Sequence, residues 1–162
     1  VDELWFLVSP QNPFKQSAHD LLPEEQRLEL TELAVKGRPQ LKACDFEFHL
    51  PRPSYMVYTL KAIREAYPER KFTLIIGADN WQSFSYWKDP DEILRHHRII
   101  IYPRKNYPVN ADTLPENVIL VDTPLINISS TELRHCIANG GDASYGLEKA
   151  VWEKIKKERY YK

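Results

Sequence analysis

"FTLIIGADNWQSFSYWK", Phe72 to Lys88, decides how this chain folds. Phe72–Gly77 is a strand-sized apolar run that ends in glycine, and it reads as a buried strand. Gly77 lets a backbone approach closely where the strand gives out. Asp79 then stands at a helix start, where a carboxylate can cap free N–H groups. Trp81, Phe84 and Trp87 follow at helical spacing, which usually means core. Trp87 differs from the other two. Lys88 and the Asp89-Pro90 break come directly after it, so its indole falls at a helix end and either packs inward or faces a cleft.

The same joint of strand and helix recurs on both sides of this stretch. Strands are expected at Leu4–Val8, Ala43–Phe48, Ile99–Tyr102 and Val118–Val121. Pro23 opens a helix over "PEEQRLELTELAVKG", with Leu28, Leu30, Leu33 and Ala34 on its apolar side and Gly37 as its stop. Ser54 is expected to cap "SYMVYTLKAIREAY", which Pro68 ends. Asp89-Pro90 starts "DPDEILRHH", and "SYGLEKAVWEKIKKERYY" closes the chain. Near-continuous apolar strands alternating with helices predict an α/β fold, a parallel sheet with helices on both faces. Ligands of such sheets sit at the carboxyl ends of the strands. At 162 residues the chain is expected to form a single domain over residues 1–162, with the polar stretch Pro103–Asn117 as a surface excursion.

Composition narrows the function. A hydrophobic share of 43% and a charged share of 28% belong to a soluble globular protein. The formal net charge is −1 with both signs interspersed, which leaves no electrostatic footprint for nucleic acid. Apolar runs such as Leu74-Ile75-Ile76 are too short to span a membrane. Cys44 and Cys136 have no metal or redox spacing, so a reducing cytoplasm is the expected location. His96-His97 is expected on the polar part of a short helix, His19 and His135 have no acidic or cysteine partner at ligand spacing, and no metal site built from protein side chains is expected. P-loop, G-x-G-x-x-G and G-x-S-x-G patterns are absent. A homo-oligomer is left open.

Three loops at strand ends carry polar chemistry. In "SPQNPFK", Ser9 to Lys15, Asn12 and Lys15 could reach an anion, although a stiff solvated loop explains the same residues. Asp79, at the end of the third strand, could accept ribose hydroxyls instead of capping its helix. "YPRK", Tyr102 to Lys105, brings two cations to the same edge, or simply two solvated charges. "ISSTELR", Ile128 to Arg134, fits the capping box through Ser129-x-x-Glu132. It equally suits an anion, because a helix start gathers unpaired N–H groups and the positive end of the dipole.

In their order, "SPQNPFK", "SYMVYTL", "GADNWQSFSYWK", "YPRK" and "ISSTELR" resemble bacterial nicotinate mononucleotide adenylyltransferases over essentially the whole chain. The pairing of Gly77-Ala78-Asp79 with Trp87 and the Ile128–Arg134 block are the most specific parts. The resemblance implies a Rossmann-like nucleotidyltransferase fold. It also implies the joining of nicotinate mononucleotide to ATP, giving nicotinate adenine dinucleotide and pyrophosphate in NAD biosynthesis. Mg²⁺ would be held by the ATP phosphates, and catalysis would be in-line attack of the mononucleotide phosphate on the α-phosphorus. Carried onto this sequence, Ser129, Ser130 and Arg134 would cradle ATP phosphates, with Arg134 the catalytic group. Asp79 would hold ribose hydroxyls. Trp87 would stack on the pyridine ring, the amides of Met56 and Lys88 would meet the nicotinate carboxylate, and Lys15 and Arg104 would hold phosphates. The family usually has threonine where Met56 stands, aspartate at Tyr58 and histidine at Phe14. Its opening strand, glycine-rich turn and H-x-G-H histidines precede the stretch that matches Val1, so the chain is expected to lack an N-terminal piece of an active enzyme. Two other readings remain: an adenylyltransferase for another phosphorylated acceptor such as phosphopantetheine, or a non-catalytic nucleotide-binding module.

Overall fold

The computed structural model describes residues 1–10 and 21–162. In chain order these form β1 (Leu4–Leu7), α1 (Glu24–Val35), β2 (Leu41–Cys44), α2 (Met56–Ala66), β3 (Thr73–Gly77), α3 (Ala78–Gln82), α4 (Pro90–His96), β4 (Arg98–Tyr102), β5 (Val118–Leu120), α5 (Ser130–Ala138) and α6 (Lys149–Glu158). They fall into two compact units, one of Val1–Ser54 with Ile128–Lys162 and one of Tyr55–Asn127. No helix among the described residues is long and apolar enough to cross a membrane.

In the first unit β1 and β2 run parallel, with Leu4 opposite Leu41 and Leu7 opposite Cys44. Helix α1 packs on β2 and on α6. Glu24 and Glu25 sit in its first turn, where the helix dipole favours negative charge. Gly37, at φ 79°, turns the chain away in the left-handed region that glycine enters freely. Arg27 reaches from α1 to the chain that follows β1, donating to Ser9 O at 2.8 Å and Pro10 O at 3.3 Å. Leu30, Leu133, Ile137, Ala143, Val151 and Ile155 form the core of this unit.

The second strand differs from the expectation of Ala43–Phe48: it spans Leu41–Cys44 and gives way to a 3-10 turn over Phe46–His49. Phe48 N–H donates to Asp45 O at 2.8 Å and closes that turn. Glu47, not either phenylalanine, becomes the buried residue, 1% exposed. The alternation Phe46-Glu47-Phe48 mimics a half-buried strand, but a local turn satisfies the backbone instead.

In the second unit β3, β4 and β5 form a parallel sheet in that order. Leu74 stands opposite Ile99, Ile76 opposite Ile101 and Ile99 opposite Val118. Ile76, Ile99, Ile101 and Val118 therefore share one face, where they pack with Val57, Leu60, Phe84 and Ile93. Val57, Leu60 and Ile63 recur at helical spacing along α2 and are buried. Ser54 does not cap α2. The helix begins one residue too late for that: Tyr55 holds the N-cap position and no side chain caps it. Nor do Trp81, Phe84 and Trp87 lie on one helix. Ser83 Oγ donates to Asn80 O at 3.1 Å where α3 ends, and a 3-10 turn carries Phe84 to Tyr86.

At the end of α4, His97 N–H donates to Ile93 O at 3.0 Å. Asn117 Nδ2 donates to Leu94 O and, at 2.8 Å, to His97 O, so the lead-in to β5 is tied to the close of α4. The buried His97 ring donates from Nδ1 to Phe72 O at 3.1 Å. Burial lowers its pKa from the ordinary 6.5, the Phe72 bond opposes that, and the charges of Arg64 and His96 add to the lowering. His97 is thus neutral in the fold and takes up a proton on unfolding once the pH drops below about 6.5. Its contribution is present above that pH and lost as pH falls toward the folded value. Urea midpoints measured from pH 8 to pH 5 are expected to fall, and to fall less steeply in His97→Asn. Parallel profiles for the two proteins would contradict this account.

Candidate functional site

The carboxyl ends of β3 and β4 meet where Gly77 pairs with Tyr102. Gly77, not Asp79, occupies the N-cap position of α3, and no side chain caps that helix. The Asp79 carboxylate instead folds back over the glycine. A Cβ built on Gly77 would lie 2.3 Å from Asp79 Oδ1 and 3.1 Å from Tyr102 Cζ and Oη. Asp79 Oδ1 is shut off from solvent and accepts no hydrogen bond among the described residues. Leaving such an acceptor unmade costs about 1–3 kcal/mol, and groups of this kind call for an explanation at the site. An ionised carboxylate only accepts, so what fits here is a donor such as a hydroxyl.

Arg104 Nε stands 3.7 Å from Asp79 Oδ1. The guanidinium also lies over the Tyr102 ring, 6.0 Å from its centroid. Tyr107 N–H donates to Arg104 O at 3.2 Å, closing a turn in which Asn106 takes φ 68°. "YPRK" is therefore not a run of freely solvated charges: Arg104 is held at backbone and side chain, while Lys105 is exposed.

Met56 is the first residue of α2, so its N–H has no acceptor within the helix. Met56 and Trp87 are both partly buried against the core of this unit. Trp87 leans on Phe84 with ring centroids 5.2 Å apart, and Trp81 stacks on the same phenylalanine at 5.1 Å. Lys88 Nζ lies 5.5 Å from the Tyr55 ring and 5.7 Å from the Tyr58 ring. Those two rings meet edge to face at 6.1 Å.

In the other unit, the capping box that opens α5 is complete. Ser129 Oγ accepts from Glu132 N–H at 3.2 Å, and Glu132 Oε2 accepts from Ser129 N–H at 3.1 Å and from Ser129 Oγ at 2.9 Å. Both polar groups expected of Ser129 are thereby engaged within the helix start. Ser130 is exposed and begins the helix, so its N–H and that of Thr131 have no acceptor within the helix. Arg134, half-buried one turn on, donates to Thr131 Oγ1 at 3.3 Å.

Asp79 and Arg104 are thus brought together, Met56 and Trp87 share a core, and Ser129, Ser130 and Arg134 share a helix start. Lys15, with Asn12 and Phe14, lies outside the described residues. No group of three His, Cys, Asp or Glu side chains that could hold a metal occurs among the described residues. A groove of about 550 Å³ along α2 and α4, lined by Leu60, Arg64, Glu92 and His97 among others, contains none of the expected site residues. Sequence reasoning missed Tyr102 and the tyrosine pair around Lys88. Only the Gly77–Tyr102 register places Tyr102 at the site.

Residues 1–136 match the family model described as cytidylyltransferase-like. A protein of Bacteroides fragilis named "Probable nicotinate-nucleotide adenylyltransferase" is 48% identical over 155 residues, covering 96% of this chain and 77% of its own. One of the same name from Bacteroides thetaiotaomicron is 50% identical over 156 residues, covering 96% and 77%. Among solved structures, the Plasmodium falciparum nicotinic acid mononucleotide adenylyltransferase complexed with NaAD superposes with a TM-score of 0.81. It covers 99% of this chain and 83% of its own at 17% identity, a likeness of fold.

The capping box separates two serines that look alike in sequence. Ser129→Ala is expected to lower stability by about 1 kcal/mol, whereas Ser130→Ala, one residue inside the helix, should leave it within about 0.5 kcal/mol. Denaturant midpoints at constant m-value read the difference, and equal losses would contradict it.

Proposed function

The chain belongs to the nicotinate-nucleotide adenylyltransferases, within the cytidylyltransferase-like family, and from that premise we propose that it joins nicotinate mononucleotide to ATP, giving nicotinate adenine dinucleotide and pyrophosphate. The observation that carries this reading is identity near one half over almost the entire chain with relatives of that name. The residue chemistry supports it. Asp79, whose side chain is about one third exposed at the end of β3, would take ribose hydroxyls. Arg104, already oriented beside it, would meet a phosphate, as would Lys15. Ser130 and Arg134 would hold ATP phosphates at the α5 start, where the N–H groups of Ser130 and Thr131 have no acceptor within the helix, with Ser129 shaping that start as its cap. Trp87 would stack on the pyridine ring, and the amides of Met56 and Lys88 would face its carboxylate.

The reaction needs no covalent intermediate. Positioning the mononucleotide phosphate in line with the α-phosphorus and neutralising charge on the leaving pyrophosphate are sufficient, and Arg134 would do part of the second. The donors at the α5 start are N–H groups, which suit phosphate oxygens rather than a cation. Mg²⁺ would therefore arrive on the ATP phosphates and water, where it supplies further charge neutralisation. We place the reaction in the cytoplasm, with two nucleotides as partners and no nucleic acid.

The test is substrate preference in the full-length protein. A carboxylate accepts at both oxygens, so two converging N–H donors suit it, whereas a carboxamide presents an NH₂ to one of them. That mismatch costs about 1–3 kcal/mol, roughly 5- to 150-fold in kcat/KM in favour of nicotinate over nicotinamide mononucleotide. Trp87→Ala should weaken both substrates together and preserve their ratio, because both present the same ring to the indole. Equal kcat/KM for the two mononucleotides in wild type would remove the acid as substrate. No turnover of either with ATP would remove the reaction.

A further inference from the structure

Tyr102 ends β4 directly opposite Gly77, and three facts converge on it. Its ring carries the Arg104 guanidinium at 6.0 Å. Its hydroxyl edge borders the space where Gly77 lacks a side chain, 3.1 Å from an idealised Cβ. Asp79 Oδ1 lies 2.3 Å from the same idealised position, so ring and carboxylate frame one small space.

Arg104 needs a guide. Its side chain has large rotamer freedom, and it is 36% exposed. The Tyr107 bond fixes its backbone but not the direction of its side chain. Asp79 attracts it, yet 3.7 Å is too long for a directional hydrogen bond. An ion pair as exposed as this one is weak and adopts many geometries. Among the described residues, the flat face of Tyr102 is what remains to orient a planar cation.

We propose that Tyr102 is a positioning residue, whose ring holds the Arg104 guanidinium beside Asp79 and so sets where a substrate phosphate is met. The claim rests on the reading that Arg104 binds a substrate phosphate. Tyr102 acts through Arg104 and is not assigned contact with substrate. Its ring face matters and its hydroxyl does not.

The experiment is steady-state kinetics on the full-length enzyme with ATP and nicotinate mononucleotide. The variants are Tyr102→Phe, Tyr102→Leu, Arg104→Ala and the Tyr102→Leu/Arg104→Ala double. Tyr102→Phe is expected to retain wild-type KM for the mononucleotide. Tyr102→Leu is expected to raise it about two- to five-fold, the scale of an exposed cation–π contact, with kcat changed less. In the Arg104→Ala background Tyr102→Leu should add nothing, because the residue it orients is gone. Equal losses in the Phe and Leu variants, or losses that multiply in the double variant, would overturn the proposal. Arg104→Ala with unchanged KM would remove the phosphate reading and this proposal with it. An impaired Arg104→Ala beside an unimpaired Tyr102→Leu would overturn the positioning role alone. Tyr102→Met, also without a ring face, must give the same rise and replaces Tyr102→Leu if that variant does not fold.

Discussion

The carboxyl end of β3 has room for no side chain, and the arrangement around it follows from that. Gly77 is where the strand stops, where α3 begins, and where Asp79 Oδ1 and the Tyr102 ring close in to within contact of an absent Cβ. The register that sets this meeting is fixed elsewhere. Ile76, Ile99 and Ile101 must all reach the buried face, and a slip of one residue would turn every one of them outward. Core packing thus fixes the position of the glycine, and the glycine allows the carboxylate and ring to approach each other. Arg104 then stands over both.

Polar groups held in this way are prepared for charge and not merely exposed to it. Asp79 keeps one oxygen away from solvent without a hydrogen-bond donor among the described residues, and its nearby cation is too far to saturate it. At the start of α5 the arrangement is the reverse. The capping box settles Ser129 and Glu132 with each other, and the N–H groups of Ser130 and Thr131 that follow have no acceptor within the helix. In the second unit the feature is an acceptor, and in the first it is a pair of donors. For the reaction proposed above, donors fixed in this way would favour charge developing on phosphate oxygens, because little has to reorganise.

Where local chemistry and packing agree, the sequence was a good guide. Phe72–Gly77 and the helix after it were legible because the apolar run, the glycine and the polar start coincide, and Ser129-x-x-Glu132 was legible because a capping box is a local device. Errors arose where a pattern had two solutions. Phe46-Glu47-Phe48 alternates like a strand, yet a turn buries the glutamate. Ser54 has the chemistry of a cap, but the helix opens at Met56. The aromatic spacing from Trp81 to Trp87 reads as one helix, yet it ends at Ser83, and the rings still meet, Trp81 stacked on Phe84 and Trp87 tilted against it. Contacts that depend on register or on a neighbouring element were not legible. The Asp79–Arg104 pair, the Tyr102 ring beneath it, and the two tyrosines around Lys88 join residues whose proximity no spacing encodes.

The central claim is that a missing Cβ at position 77 sets where the Asp79 carboxylate stands, and with it the hold on ribose hydroxyls that we propose for it. Gly77→Ala tests it most directly. The backbone there, at φ −76°, is open to alanine, so the fold should survive and only the carboxylate and ring should be pushed aside. In the full-length protein the account predicts a melting temperature within a few degrees of wild type and a fall in kcat/KM with ATP and nicotinate mononucleotide on the order of a hundred-fold, the scale of a displacement of about 1 Å at a reacting site. A folded Gly77→Ala variant with wild-type kcat/KM would contradict it.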